Sequence, residues 1–304
     1  MIRNNPSIIN IIDIIPKKRF YVQINQKFRD LLVSKIKKYK IKDIIPKLKT
    51  SRSTLCRILY KKNHWMNLET LFSLCRVIKI SIKKLKNNII TIKTKDSFPI
   101  SVLNLKINEQ FARFIGHLIG DGGIHLIEKE GKYRVFYVNN EHILLNSFLD
   151  DVSEIFGDIP IYMRERKSHG DEVWLPTTVG LIVYSLLGSC KSKKTRIPNI
   201  ILNSKNPVII NNFLQAIFDD EGFLYSQKNM IGISLANKGL LLDIKDILKQ
   251  SGINSNPVHQ RTDQPNMFYF YITDKKNLIK FSEEINFLHP MKRQKLTQLV
   301  NKYS

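Results

Sequence analysis

The spacing of apolar residues divides the chain into two textures. Over residues 21–88 they recur at helical intervals: Phe28, Leu31, Leu32 and Ile36, then Leu55, Ile58 and Leu59, then Leu68, Leu71, Phe72, Leu74, Cys75 and Ile78. That period puts each set on one helix face. Ser51 and Asn67 stand where N-caps belong, ahead of the second and third sets. The stretch reads as a small all-α unit, with residues 1–20 as an arm or short helix before it. A strand-like run, Ile89–Ile92, and the polar segment Lys93–Pro99 place the domain boundary at 97/98.

From residue 100 short β-branched and aromatic strands alternate with helices, and the order repeats. One half has a helix over Asn108–Gly123 that ends in Gly120-Asp121-Gly122-Gly123. A strand (Tyr133–Asn139), a helix (His142–Ile155), two strands (Ile161–Glu165, Val173–Thr177), a helix (Leu181–Leu187) and the basic run Cys190–Arg196 follow. The other half has a helix over Pro207–Gly222 that ends in Asp219-Asp220-Glu221-Gly222. Its strand (Ile231–Ala236), helix (Lys238–Gln250), strands (Val258–Arg261, Met267–Thr273), helix (Lys275–Glu284) and basic run Lys292–Lys295 come in the same order. The expected fold class is α+β: two αββαββ repeats, residues 98–200 and 201–304, related by a pseudo-dyad and preceded by the helical unit at 21–97.

Charge sharpens this division. The chain has 304 residues and a net charge of +23. Residues 1–96 hold 24 Lys+Arg against 5 Asp+Glu, a net of +19, and the remaining residues carry only +4. A basic third joined to a nearly balanced remainder points to a polyanion, and nucleic acid fits best. Part of the charge reflects a general richness in Lys and Ile. Cys56, Cys75 and Cys190 are far apart and odd in number, which implies reduced, buried thiols of an intracellular protein rather than disulfides or a zinc site. The apolar run Ile8–Ile15 is interrupted by Asn10 and Asp13, so neither a signal peptide nor a membrane span is expected.

The chemistry concentrates at the two repeated tips, Asp121 and Glu221, which lie 100 residues apart. A carboxylate at a helix C-terminus faces the negative end of the macrodipole, so it opposes folding there. Gly116 and Gly120 are four apart on one helix face, and small Ala216 matches Gly116 in the second helix. If these faces pack, both acids emerge together. Two close carboxylates repel unless a cation lies between them, and hard, oxygen-ligated Mg²⁺ suits such a pair. Taken singly, each tip is an ordinary helix-ending turn.

Phe114-Ile115-Gly116-His117-Leu118-Ile119-Gly120-Asp121-Gly122 and Leu214-Gln215-Ala216-Ile217-Phe218-Asp219-Asp220-Glu221-Gly222 resemble the two motifs of single-chain LAGLIDADG homing endonucleases. The resemblance covers roughly residues 98–304. It implies saddle-shaped antiparallel sheets lying along the DNA major groove and a double-strand cut across the minor groove. It implies Mg²⁺, about two or three ions with Mn²⁺ able to substitute, held by Asp121 and Glu221 with Gly120 and Asp220 in the ligand set. A lysine assists in each half of that family. Lys194 and Lys292, in the basic runs after each third helix, are the candidates. Tyr162, Arg164, Arg166, Lys167, Gln227, Lys228, His259, Gln260 and Arg261 are the expected DNA contacts of the sheets. Ile119 departs from the usual acid of the first motif, and Glu221 from the commoner Asp.

Residues 51–71, from Ser51-Arg52-Ser53-Thr54 to Asn67-Leu68-Glu69-Thr70-Leu71, resemble the lambda-repressor/Cro helix-turn-helix, with Arg52, Ser53 and Arg57 as its DNA contacts. Pro46 is expected to disrupt the helix before the turn. The resemblances together imply a monomeric, site-specific double-strand DNA endonuclease, intron-encoded or free-standing, with a long, nearly non-palindromic target and no membrane partner. The alternatives are an inactive DNA-binding regulator of the same fold and an intron RNA maturase. The chain lacks intein ends, paired His ligand spacing, a P-loop and a dinucleotide fingerprint.

Overall fold

The computed structural model describes residues 8–48, 50–61, 63–165, 170–188 and 194–303. The N-terminal unit begins with β1 (Ile8–Asn10) and one turn of helix, α1 (Ile11–Ile14). β2 (Phe20–Ile24), α2 (Gln26–Ile36), α3 (Ile41–Leu48) and α4 (Arg52–Tyr60) follow. β3 (Met66–Asn67), α5 (Leu68–Val77), α6 (Ile82–Lys86) and β4 (Ile89–Thr94) complete it. Ser51 and Asn67 cap α4 and α5, accepting from the backbone N–H of Thr54 and Thr70. Buried Arg29 reaches across from α2 and donates to the carbonyls of Ile58 and Lys61, closing the end of α4.

Three expectations for this unit need correction. It is not all-α, because β2 lies between β3 and β4 in an antiparallel sheet. Phe20, Val22 and Ile24 alternate inward along β2, a period-2 signal of only five residues that sits where the arm was expected to end. Residues 8–20, expected as an arm or a short helix, hold the short helix α1 but are also tied down by a strand. β1 pairs with β5 (Asn104–Lys106), beyond the domain boundary, and Ile11, Ile12 and Ile15 are buried. Finally, α3 continues through Pro46. Its apolar side, Ile44 and Leu48, is buried against neighbouring helices, and that burial compensates for the lost hydrogen bond.

The first repeat runs α7 (Glu109–Ile119), β6 (Gly122–Ile127), β7 (Lys132–Asn139), α8 (His142–Phe156), β8 (Tyr162–Arg164), β9 (Asp171–Trp174), α9 (Thr177–Leu187). A short α10 (Asn199–Leu202) leads to the second repeat: α11 (Pro207–Glu221), β10 (Gly222–Tyr225), β11 (Met230–Leu235), α12 (Lys238–Gln250), β12 (His259–Gln260), β13 (Phe268–Ile272), α13 (Lys275–Glu284) and α14 (Pro290–Asn301). The sheets have matching antiparallel orders, β6-β7-β9-β8 and β10-β11-β13-β12. The strands directly after each motif helix, β6 and β10, did not stand out in the sequence because they open on glycines that read as turns. α14 was hidden in what looked like a basic tail.

Each sheet buries one face under its helices, with Val135, Tyr137 and Val173 in the first and Ile231, Ile233, Phe270 and Ile272 in the second. The opposite faces are partly open. The first presents His125, Arg134, Phe136 and Trp174, the second Phe223, Tyr225, Tyr269 and Tyr271. Between the repeats, α7 packs along α11. Arg113 of α7 helps to fix the layer, donating to Asp151 of α8 and to Asn212 of α11. No helix among the described residues is long and apolar enough to cross a membrane.

Candidate active site

The α7–α11 interface is built on missing side-chain atoms. A Cβ added at Gly116 would lie 2.7 Å from Ala216 Cβ and 2.8 Å from the Phe213 carbonyl oxygen. One added at Gly120 would lie 2.5 Å from Asp220 Oδ2. Both glycines spend stability within or at the end of a helix, and close approach of the second helix is what they gain. Their spacing brings the two C-termini together. Asp121 leaves just beyond α7 and Glu221 is the last residue of α11.

Both tip carboxyls are raised above the ordinary range. Burial, then repulsion from Asp121 and Asp220, pushes the Glu221 carboxyl up to about 7. Burial and repulsion from Asp220 push Asp121 up to about 7 as well, against the pull of Lys292 and His117. Asp121 is the more open of the two, so solvent moderates its shift; Glu221 is half-buried. Lys292 stands behind the pair. Its Nζ donates to the carbonyls of Phe218 and Asp219 at the end of α11, 3.2 Å from the first. Burial lowers its pKa despite the attraction of Asp219, Asp220, Asp121 and Glu221.

Asp219 explains how Lys292 arrives there. Its carboxylate accepts from the backbone N–H groups of Leu288 and His289, both at 3.0 Å, and so fixes the start of α14, which carries Lys292. Ile119, the matching residue of the first motif, cannot do this. Lys194 stands exposed in a turn and makes no ion pair with either acid. The structure therefore brings Asp121, Glu221, Asp220, Gly120 and Lys292 together but leaves Lys194 outside.

Beneath Asp121 lies a polar network that the sequence did not disclose. Asn139 Nδ2 donates to Asp121 Oδ2 at 3.1 Å and to the Tyr137 hydroxyl at 3.1 Å. That hydroxyl donates to Asp220 Oδ1 at 2.9 Å. Asp220 also accepts the Asp121 backbone N–H at 3.3 Å and faces His117 Nδ1 at 3.1 Å. The His117 and Asp220 side chains are 1% and 0% exposed. Burial works against a charged His117, but the Asp220 carboxylate outweighs it, so the pKa is raised. His117 Nε2 has no partner among the described residues. The available signal was a histidine set in the apolar face of α7, opposite an acid where the other motif has glycine.

The donors suit a hard divalent cation, because the two raised carboxylates are the groups whose repulsion a cation would relieve. Asp220, one of the expected ligands, directs its carboxylate to Tyr137, His117 and the Asp121 N–H. Among the described residues no three His, Cys, Asp or Glu side chains converge on one point.

The expected contacts are spread over surfaces. Arg52, Ser53 and Arg57 are exposed on α4, with Ser53 Oγ 2.9 Å from the capping Ser51 Oγ. Tyr162 and Arg164 are exposed on the edge strand β8. Gln227 and Lys228 lie in the turn between β10 and β11 rather than on a strand. His259 and Gln260 are exposed on β12, and Gln260 donates to the Pro265 carbonyl. Arg261 is committed to Asp263 through two hydrogen bonds, of 3.0 and 2.6 Å. Arg166, Lys167 and Cys190 fall outside the described residues. Cys75 is buried as expected, and its thiol is pushed up to about 12, but Cys56 is only half-buried.

Comparison with known proteins gives similarities to one family and to several relatives. Residues 209–286 match the LAGLIDADG-like domain family. Over 197 residues the chain is 27% identical to the Replication factor C small subunit of Methanocaldococcus jannaschii, covering 64% of this chain and 10% of that protein. It is 25% identical over 195 residues to the Replication factor C small subunit of Thermococcus kodakarensis, covering 64% of this chain and 21% of that protein. The chain thus spans only a tenth to a fifth of these relatives. Among solved structures, the homing endonuclease I-DmoI in complex with DNA and Mn aligns at TM-score 0.46 and 19% identity, covering 59% of this chain and 97% of that one. Full-length DUF199/WhiA from Thermatoga maritima aligns at TM-score 0.45 and 14% identity, covering 66% and 62%.

Proposed function

We propose that this protein is a site-specific, metal-dependent endonuclease of double-stranded DNA. The observation that carries the reading is the meeting of Asp121 and Glu221 at the adjoining ends of α7 and α11, with both carboxyls raised to about 7. Stability alone would not keep two acids at the negative ends of two helices. A LAGLIDADG-like second repeat and a first repeat of the same strand order support the assignment.

In this reading Asp121 and Glu221 hold divalent cations, with the carbonyls of Gly120 and Asp220 completing the protein's share. When bound, such ions polarise a scissile phosphate and lower the pKa of an attacking water. Lys292 sets positive charge beside the tips, where negative charge grows on the phosphate. Asn139 fixes the rotamer of Asp121. The outward sheet faces supply base and phosphate contacts, and α4, with Arg52, Ser53 and Arg57, serves as a helix-turn-helix recognition element. Lys194 is the candidate lysine of the first half.

The test is incubation with a library of random duplexes in Mg²⁺ or Mn²⁺, followed by sequencing of cut ends. Recurrent double-strand breaks at one site, lost in Asp121→Asn and Glu221→Gln, support the proposal. Cleavage that survives both substitutions overturns the site. Specific binding without cleavage in either ion replaces the endonuclease with a DNA-binding regulator.

A further inference from the structure

Among the described residues, the hydrogen bonds that tie down the N-terminal unit run to one repeat. β1 pairs with β5, and the Ile11 N–H donates to the Leu103 carbonyl at 2.8 Å. The Thr94 N–H donates to Thr178 Oγ1 at 3.1 Å, and Arg19 donates to the Gly131 carbonyl at the tip of the β6–β7 hairpin. All of these partners belong to the first repeat or the segment leading into it.

Along this seam lie two hollows, of about 370 and 410 Å³, that share Asp96, Lys132 and Thr177 and so form one trough. Lys18, Arg19, Lys95, Lys132 and Arg134 line it, against Asp96 and Glu130. Glu130 is paired with Lys132 at 2.6 Å, and Arg19 is committed to the Gly131 carbonyl. Lys18, Lys95 and Arg134 are exposed and in no ion pair among the described residues, though Arg134 is near enough to Glu130 to act on its charge. Arg134 points outward from β7, on the face that carries Phe136 and Trp174, so the trough opens onto the outer face of the first sheet. Its other end belongs to the basic N-terminal unit. A hollow of about 400 Å³ on the second sheet is lined differently: it holds Arg261 as its one cation, and Asp263 neutralises it.

We propose that this trough grips the phosphate backbone of duplex DNA that runs off the first sheet toward the N-terminal unit, so the bound target is longer on the Asp121 side than on the Glu221 side. The inference rests on the DNA-binding reading. Spaced, unpaired cations along an extended channel suit a row of phosphates better than one small anion, and such contacts add affinity and register without reading sequence.

The test compares the full chain with the triple variant Lys18→Gln/Lys95→Gln/Arg134→Gln. A control triple variant, Lys205→Gln/Lys249→Gln/Lys276→Gln, changes exposed lysines of the second repeat. Affinity for a fluorescent random-sequence duplex is measured in EDTA over a range of salt, so cleavage plays no part. The trough variant should flatten the slope of log K against log salt by about 2–3, the scale of three lost phosphate contacts, and the control by less than about 1. On a selected target, hydroxyl-radical footprinting should show the trough variant losing protection at one flank while the centre stays protected. Equal slopes for the two variants, or a footprint shortened at both flanks, overturn the trough and leave the endonuclease standing. Failure of the unaltered protein to bind any duplex overturns both.

Discussion

The two repeats share strand order, helix order and an acid at the same point, yet they hold that acid by different means. Asp121 rests on a polar network of Asn139, Tyr137, Asp220 and His117. The matching positions of the second repeat are apolar. The Gly122–Tyr137 pair of the first sheet corresponds to Gly222–Ile233 of the second, and Asn139 to Leu235. Glu221 lacks these partners and shares with Asp121 the pull of Lys292, delivered by Asp219 through α14. A shared topology brings the acids together; separate local chemistry then equips each one. Half of a symmetric pattern is therefore a poor guide to the residues that support the other half.

The largest expected effect tests what the repeats have in common. Asp121→Asn and Glu221→Gln should each lower the rate of double-strand cleavage at least about a thousandfold, the scale of removing a preorganised electrostatic group. An uneven loss, read as nicking of one labelled strand, would show that the halves act independently. Next comes the network that only one repeat owns. His117→Leu leaves the Asp220 carboxylate buried without its counter-charge and should cost about 3–5 kcal/mol in urea unfolding, whereas His117→Leu/Asp220→Leu should recover most of that. Recovery of nothing would mean that Tyr137 and the Asp121 N–H already satisfy Asp220.

The lysines provide the third contrast. Lys292→Met should slow cleavage about a hundredfold with little change in DNA affinity, and Lys194→Met by less than about tenfold. Equal losses would restore the symmetry that the sequence suggested. The smallest effect concerns pH. The folded-state pKa values of Asp121 and Glu221 lie near 7, above the ordinary carboxylate range, so the folded form binds more protons than the unfolded form between about pH 4 and pH 7. Stability is thus full at the acid end of that window and is lost as pH rises through 7. The raised pKa of His117 adds in the same direction. Without divalent ions the melting temperature should fall by a few degrees from pH 5 to pH 8, and Asp121→Asn/Glu221→Gln should flatten that slope. A melting temperature that rises with pH would contradict the burial of these acids.

Much of this was legible in the sequence because long helices announce themselves by period and by repetition. α11, α12 and α13 were expected within a residue of where they lie. The small faces at Gly116, Gly120 and Ala216 gave the approach of the tips. Short strands were harder. β2 and β10 have five and four residues, and a glycine or an adjacent helix outweighs so brief an alternation. The supporting residues were hardest of all. His117 and Tyr137 lie on two elements and meet Asp220, from a third, only after folding, and Asn139 joins them through Tyr137. Lys292 could be named but not separated from Lys194, because what distinguishes them is the grip of Asp219 on the backbone 69 and 70 residues further along.

The clasp between β1 and β5 has a consequence for synthesis and for exchange of parts. Residues 8–10 find their partners only at 104–106, and Thr94 finds its own at 177 and 178. During translation the first strand emerges early and waits, unpaired, until the opening of the first repeat has left the ribosome. The N-terminal unit is therefore no detachable cassette. A graft of this unit onto another nuclease would have to bring the strand at 104–106 with it, or leave an open edge ready to join a neighbouring molecule.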